Sequence, residues 1–473
     1  MTIDSSWIAC FKEEVPAAFA RRPPFPPSAV FCDGQIRLMP SAIDRVMSWE
    51  EYIQRQFERH VFGYFDRGVP CVVLAFDDYR HVPQAKSMTQ VRFFIFVFVV
   101  KGAAIFFYLC AQVKRRRHLP ALEFHARDCL PPCVPQGERW QQSIANRTFK
   151  SQVIQLVIRR MTSKESLARL KEGQSLVIDY QGPPVQYLPG GESSPIPGMT
   201  PLGEADVKFP RYMGLFESLQ VDSVDGDSIP IALLHMERGG AGRISILRLE
   251  TKLKEEKVEA AQAKKRAKVA AAAAVAATAA VPAPDPRAAK SSRVYEYVNV
   301  RMLYEALLGV VIPQCTDRVE IPSHRGHEIS MLVSLIGLSG TDFTRGLPLV
   351  SGKTIYEYMP SIWARLARAY HPASGQLVPE AALDLVVSLI YFNKFERHAT
   401  SGTLDAVMTS IARADKLSVK TRERLPSREV LDCTVRNVNW LLCYWRHADF
   451  PDPVQPEFGF SRDKPGGAVR FAA

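Results

Sequence analysis

The sequence predicts an α/β fold with a mainly parallel sheet, on three observations. Short apolar runs end in acid, a helical pattern separates the first two of them, and a further apolar helix start follows the last. Ala29-Val30-Phe31-Cys32 runs into Asp33, and Cys71 to Phe76 runs into Asp77-Asp78. Ser175 to Ile178 runs into Asp179, and Leu219-Gln220-Val221 leads to Asp225-Gly226-Asp227. Between the first two lies a helical pattern from about Trp49 to Tyr64, and after Asp227 the run Ile229 to Leu234 is again apolar. Strands alternating with helices argue for parallel pairing. Ligands of such sheets bind outside the carboxyl ends of the strands, so acids that close the strands are expected to converge on one site.

With 473 residues the chain exceeds one ordinary domain, and at 47% hydrophobic residues most of it should fold. A formal charge of +11 is compatible with a nucleic-acid partner, though a basic face can equally be a solvated one. The nine Cys are scattered without a CxxC pair, and Cys129 and Cys133 lack a matching second pair, which argues against a zinc module. They read as reduced, mostly buried thiols of an intracellular protein. Residues 1–27 show no signal-peptide pattern, end in a Pro-rich stretch, and read as an irregular lead-in. A core domain is expected over 28–251. Residues 252–292 form a Lys/Ala-rich low-complexity insertion, whose Lys264-Lys265-Arg266-Ala267-Lys268 reads as a nuclear localisation signal or a solvated helix face. Residues 293–370 should complete the core, and 371–473 a helical C-terminal region and tail.

Within the core domain, Phe93 to Ala111 carries one charge, Lys101, in nineteen residues, long enough to span a membrane. A span there would pull the sheet apart. Val codons begin GT and a Gln codon can be CAG, so 91–112 reads best as a translated, retained intron. A buried or cap-region helix and a membrane span are the alternatives. Its removal joins Gln90 to Val113 and yields one basic stretch beside the second acidic strand end.

The acids point to phosphodiester hydrolysis. That chemistry needs an ionised water and neutralised charge on phosphate and leaving oxygen, which two divalent ions about 4 Å apart can provide. Hard ions such as Mg²⁺ prefer carboxylate and water oxygens. Clustered carboxylates repel one another unless cations are bound. Two acid-x-acid pairs sharpen the pattern, Glu204-Ala205-Asp206 and, twenty-one residues after Glu204, Asp225-Gly226-Asp227. Asp342 follows the apolar helix Met331 to Leu338. Each acid alone has a plainer reading, as a turn residue for Asp33 and Asp77, a helix-start acid for Glu204 and Asp206, an Asx turn for Asp225 and Asp227, or an N-cap for Asp342. Asp78 is a substitute ligand or an exposed neighbour.

These residues together resemble the flap endonucleases and wider XPG-type 5′ nucleases of the PIN-like superfamily. The resemblance is carried by Asp77 followed by Pro83-Gln84-Ala85-Lys86-Ser87, by Glu204-Ala205-Asp206, by Ser223 to Ser228, and by Ile336 to Phe343. It covers roughly Ala29 to Trp363 without the two insertions. It implies a PIN-like sheet flanked by helices, with a helix–two-turn–helix-like hairpin at Leu347 to Thr354. It implies Asp33, Asp77, Glu204, Asp206, Asp225, Asp227 and Asp342 as ligands of two Mg²⁺ (or Mn²⁺). Lys86 and Arg115 would contact the scissile phosphate, while Lys114, Gly352 and Lys353 would bind nucleic acid. The implied activity is a structure-specific DNA endonuclease or 5′-exonuclease of repair or replication, monomeric and nuclear, acting on 5′-flap or branched DNA. No small-molecule cofactor and no membrane are expected. Asp206 stands where the family has Glu, Met39 where it has an aromatic residue, and the hairpin keeps only Gly352-Lys353 of its usual glycine-rich form. The alternatives are a 5′–3′ exoribonuclease of the same superfamily, which would take RNA, and a non-catalytic nucleic-acid-binding scaffold; a membrane-anchored protein is third. The aromatics Trp440, Tyr444 and Trp445 read as core.

Overall fold

The computed structural model describes residues 5–38, 46–78, 129–223, 225–240, 242–249, 295–316, 324–341, 344, 346–347, 351–394, 428–446, 460–462 and 469–471. The predicted strands form as β2 (Ala29–Asp33), β3 (Cys71–Ala75), β4 (Ser175–Asp179) and β7 (Ser218–Asp222). Short β1 (Phe19–Ala20), β5 (Val185–Tyr187), β6 (Ser193–Pro195), β8 (Arg243–Leu249) and β9 (Tyr295–Asn299) complete a nine-stranded sheet in the order β1-β9-β8-β7-β2-β3-β4-β5-β6. Its centre, β4-β3-β2-β7-β8, is entirely parallel, and both margins are antiparallel. Every residue of β2, β3, β4 and β7 is buried. Helices cover both faces of such a sheet, which is why these strands read as unbroken apolar runs rather than as alternation.

The N-terminal stretch departs from the irregular lead-in expected over 1–27. Ser5–Glu14 is a helix, α1, and Phe19–Ala20 pairs with β9. Trp7 is fully buried, its indole N–H donating to Ser339 Oγ at 2.9 Å, and Phe11 packs beside it. The apolar spacing Trp7, Ile8, Phe11 and Val15 is the helical stripe that the mixed composition and the Pro-rich tail obscured.

One face of the sheet carries Val30, Cys32, Val72, Leu74, Leu176 and Ile178. It packs under α2 (Gly34–Leu38), α3 (Trp49–Ile53) and α4 (Arg59–Asp66), the last two joined by a π-turn, and under α5 (Gly137–Ala145) and α6 (Arg147–Met161). Ser48 caps α3 by accepting the Glu51 N–H at 3.1 Å. The other face carries Phe31, Val73, Val177, Val221 and Ile246. Against it lie α7 (Ser228–Glu237), α8 (Val300–Ala306), α9 (Glu328–Ser339), α10 (Gly352–Ala369), α11 (Pro379–Lys394) and α12 (Arg428–Arg446). The C-terminal helices therefore share one continuous core with the sheet; Leu431, Val435, Val438 and Leu441 pack in the same cluster as Ile229 and Leu332. Trp440, Tyr444 and Trp445 are buried, as their reading as core requires.

Cys10, Cys32, Cys71 and Cys315 are buried free thiols, while Cys129 and Cys133 are free and exposed. Among the described residues no helix is long and apolar enough to cross a membrane. Residues 91–112 and 252–292 lie outside the described set.

Candidate functional site

From β2 the chain adds β3 and β4 on one side, then returns to add β7 and β8 on the other. The connections leave β2 and β7 in opposite directions, and an open α/β sheet has its ligand crevice at that point, outside the strand carboxyl ends. Asp33 ends β2, Asp77 lies just past β3, and Asp225 and Asp227 follow β7. Glu204 and Asp206 flank Ala205 at a short 3-10 turn, Ala205–Val207.

Hydrogen bonds gather these segments. Asp77 Oδ1 accepts the Ala205 N–H at 2.9 Å, pinning the Glu204–Asp206 turn to the end of β3. Asp78 is buried, not exposed, and its N–H donates to the Gly203 carbonyl at 2.6 Å. Lys208, fully buried, donates to the carbonyls of Phe76 (2.6 Å) and Asp179 (3.1 Å) and ties the ends of β3 and β4 together. Asp33 Oδ1 accepts the Gln35 N–H at 2.8 Å. Asp225 Oδ1 accepts the Asp227 N–H at 3.0 Å, an Asx turn that sets the loop entering α7. Asp227 is wholly buried and its side chain does not cap that helix.

Electrostatics shows which acids are neighbours. Burial raises the Asp33 carboxyl to about 7, helped by Asp77 and then Asp225, against the Gln35 N–H and Lys150, which lower it. Burial raises the Tyr444 hydroxyl, with Glu204, Asp77 and Asp206 adding to it. Asp33 thus feels Asp77 and Asp225, and Tyr444 feels Glu204, Asp77 and Asp206, which sets the two groups of carboxylates around Asp77, with Asp227 joined to Asp225 by the turn. The donor set is all oxygen, the type hard divalent cations prefer, but among the described residues no three of these acids bring carboxylate oxygens within 4.8 Å of one another.

The other two acids that close strands belong elsewhere. Burial alone would raise Asp179, but Lys208 and Arg211 outweigh it and hold its carboxyl below the usual range, with the Tyr212 hydroxyl donating at 2.8 Å. Burial is likewise overcome at Asp222 by His60 and Arg37. Cys32, His60 and Asp222 are the one trio among the described residues whose donor atoms lie within 4.8 Å of one another. Arg37 Nη2 stands 2.8 Å from Asp222 Oδ2 and 2.6 Å from His60 Nε2, so a guanidinium already takes the place a metal would need.

Lys86, Lys114, Arg115, Asp342 and Met39 lie outside the described residues. Gly352 opens α10, where Ser351 caps the helix by accepting the Thr354 N–H at 3.2 Å. A Cβ on Gly352 would come within 2.4 Å of the Trp7 ring, so close packing under α1 accounts for this glycine. Lys353 is exposed and pairs with Glu357 at 3.4 Å.

Two residues beside the acids escaped the sequence reading, namely Lys150 and Arg248. Their signal was present. Lys150 stands at helical spacing from the buried Val153, Ile154 and Val157, and Arg248 at strand spacing from Ile244 and Ile246. A charge inside an apolar stripe is either paired or functional. No protein-family model matches this chain, and no curated protein matches it.

Proposed function

We propose that this chain is a divalent-metal-dependent nuclease with a PIN-like sheet, hydrolysing phosphodiesters in DNA that carries a 5′ flap or branch. The observation that carries the reading is the gathering of Asp33, Asp77, Glu204, Asp206, Asp225 and Asp227 at the crossover of the parallel sheet, close enough that Asp77 and Asp225 both raise Asp33. Those six, with Asp342, would hold two Mg²⁺ or Mn²⁺. Such ions, when bound, supply Lewis acidity toward water and phosphate. The chain itself supplies the rest. Buried strand ends fix the carboxylates so that little reorganisation accompanies the reaction. Lys150 offers a cation beside Asp33, and Lys86 and Arg115 are assigned to the scissile phosphate. Lys114 and Lys353 are assigned to the duplex backbone. Nuclear work on DNA is part of this proposal.

The test is cleavage of an end-labelled 5′-flap DNA in Mg²⁺, with EDTA and Asp225→Asn/Asp227→Asn controls and single-stranded RNA as competitor. Metal-dependent cutting lost in the double variant is the expected result. Preferential cutting of RNA would move the assignment to an exoribonuclease. Tight binding of DNA without cutting in Mg²⁺ or Mn²⁺ would replace the nuclease with a binding scaffold.

A further inference from the structure

We propose that the cleft between α6 and the β4–β5 hairpin is a subsite for one unpaired nucleobase and its phosphate. The choice of a nucleobase rests on the nuclease reading above, while the cleft itself stands on its own geometry.

The cleft holds about 320 Å³, at the small end of the roughly 300–1,000 Å³ of small-molecule sites. Ile158 of α6 and Val185 of β5 line it with apolar surface, and Tyr180 and Tyr187 with aromatic rings. It lies at the carboxyl end of β4, the side of an open α/β sheet that takes ligands. Tyr180 directly follows the last residue of β4, and its ring stands edge-on to Phe76 at 6.0 Å, next in the chain to Asp77.

Two observations set this cleft apart from an ordinary surface fold. Gln181, which also lines it, has a φ of +51°, the one positive φ of a non-glycine residue among the described residues. A glycine would adopt that backbone without strain, and such strain persists only where the surroundings hold it. Here the Gln181 amide donates to the Tyr180 hydroxyl at 2.8 Å, and that hydroxyl meets Ser151 Oγ of α6 at 2.8 Å. The Tyr180 ring is thus held at its hydroxyl and against Phe76. The second observation is on α6. Gln155 and Arg159, four residues apart and so on one helix face, are exposed lining residues whose side chains have no polar partner among the described residues. The adjacent Arg160, by contrast, is bound by Glu58 and Glu165. No acid lines the cleft, so the Arg159 charge is left for a ligand.

The chemistry follows from these groups. Tyrosine rings stack on the face of any base. A carboxamide offers a donor and an acceptor to a base edge. A guanidinium takes a phosphate through two parallel hydrogen bonds. A free phosphate would leave the rings unused, and an apolar ligand would leave the guanidinium unanswered; a nucleotide uses both.

The experiment titrates the full-length protein, in EDTA, into a single-stranded DNA tetranucleotide carrying one 2-aminopurine, whose fluorescence falls when it stacks on an aromatic ring. Unlabelled tetrathymidylate and the same backbone made abasic are the competitors, and circular dichroism confirms folding. Saturable quenching is expected, displaced far better by tetrathymidylate than by the abasic strand. Tyr187→Leu should weaken binding about 5- to 150-fold, the range of one base–aromatic stack, while Tyr187→Phe keeps it. Arg159→Gln should cut the slope of log K against log salt by about 0.7, one phosphate contact on a single strand. Equal competition by the abasic strand, or unchanged affinity in folded Tyr187→Leu, overturns the proposal. Where that variant does not fold, an unchanged salt slope in Arg159→Gln, a substitution on the exposed face of α6, overturns it instead. Base-dependent quenching without Mg²⁺-dependent cutting of flap DNA keeps the subsite and overturns the nuclease reading; cutting without base-dependent quenching overturns the subsite alone.

Discussion

Replacing Asp33 with Asn should stabilise the metal-free protein at alkaline pH while weakening its hold on divalent ions. The carboxyl is raised from an ordinary 3.8 to about 7 by burial and by Asp77 and Asp225. An acid with a raised folded-state value favours folding when protonated. The protein therefore keeps that stability below about pH 4 and loses it as pH rises through 7. A shift of about 3 units corresponds to about 4 kcal/mol at full ionisation. About 1.5 kcal/mol of this is lost by pH 5 and the rest by pH 8, because the unfolded carboxyl has already ionised. Asn carries no charge and keeps an oxygen to accept the Gln35 N–H. Urea unfolding in EDTA should then show the Asp33→Asn variant gaining about 2.5 kcal/mol relative to the parent between pH 5 and pH 8. At pH 5, where the difference is about 1.5 kcal/mol, saturating Mn²⁺ should reverse the order, since a ligand at a hundredfold excess over its Kd adds about 2.7 kcal/mol to the form that binds it. A difference between the two proteins that does not change with pH would refute the idea that Asp33 sits in a self-repelling cluster.

Two substitutions probe how the strand ends are held. Gly34→Ala should destabilise the protein by about 1–3 kcal/mol in denaturant unfolding. A Cβ there would stand 2.3 Å from Phe76 Cε1 and 2.8 Å from the Ala75 carbonyl oxygen, both beside Asp33 and Asp77. Lys208→Met should cost about 3 kcal/mol or more. It leaves the buried Asp179 with Arg211 and the Tyr212 hydroxyl and strands two carbonyls; unfolding within about 0.5 kcal/mol of the parent would show that Lys208 holds nothing.

The parallel centre of the sheet was legible because burial on both faces leaves a plain signature. Three to six apolar residues and an acid suffice to place β2, β3 and β4, and each begins within a residue of its expected start. The antiparallel margins were not legible. β1 has two residues, and β5 and β6 have three each, too short for a period to show. The N-terminal helix was missed because composition was weighed over 27 residues, whereas Trp7, Ile8 and Phe11 carry the signal over five.

The site was half legible, and for a physical reason. In the sequence Asp33, Asp77, Asp179 and Asp222 are alike, each standing at or just past the end of an apolar run. What separates them is cations that arrive from far along the chain. Lys208 and Arg211 come to Asp179 from about thirty residues away, and Arg37 and His60 reach Asp222 from more than 160. Spacing to Glu204 and Asp225 singled out Asp33 and Asp77 as candidates without seeing those cations. It could not say why the others were excluded, because neutralisation is a property of tertiary contact. Lys150 and Arg248 do not neutralise the cluster in that way: Lys150 lowers the Asp33 carboxyl without outweighing its burial, and Arg248 pairs with Glu296, whereas Lys208 and Arg211 at Asp179 and Arg37 and His60 at Asp222 do outweigh it.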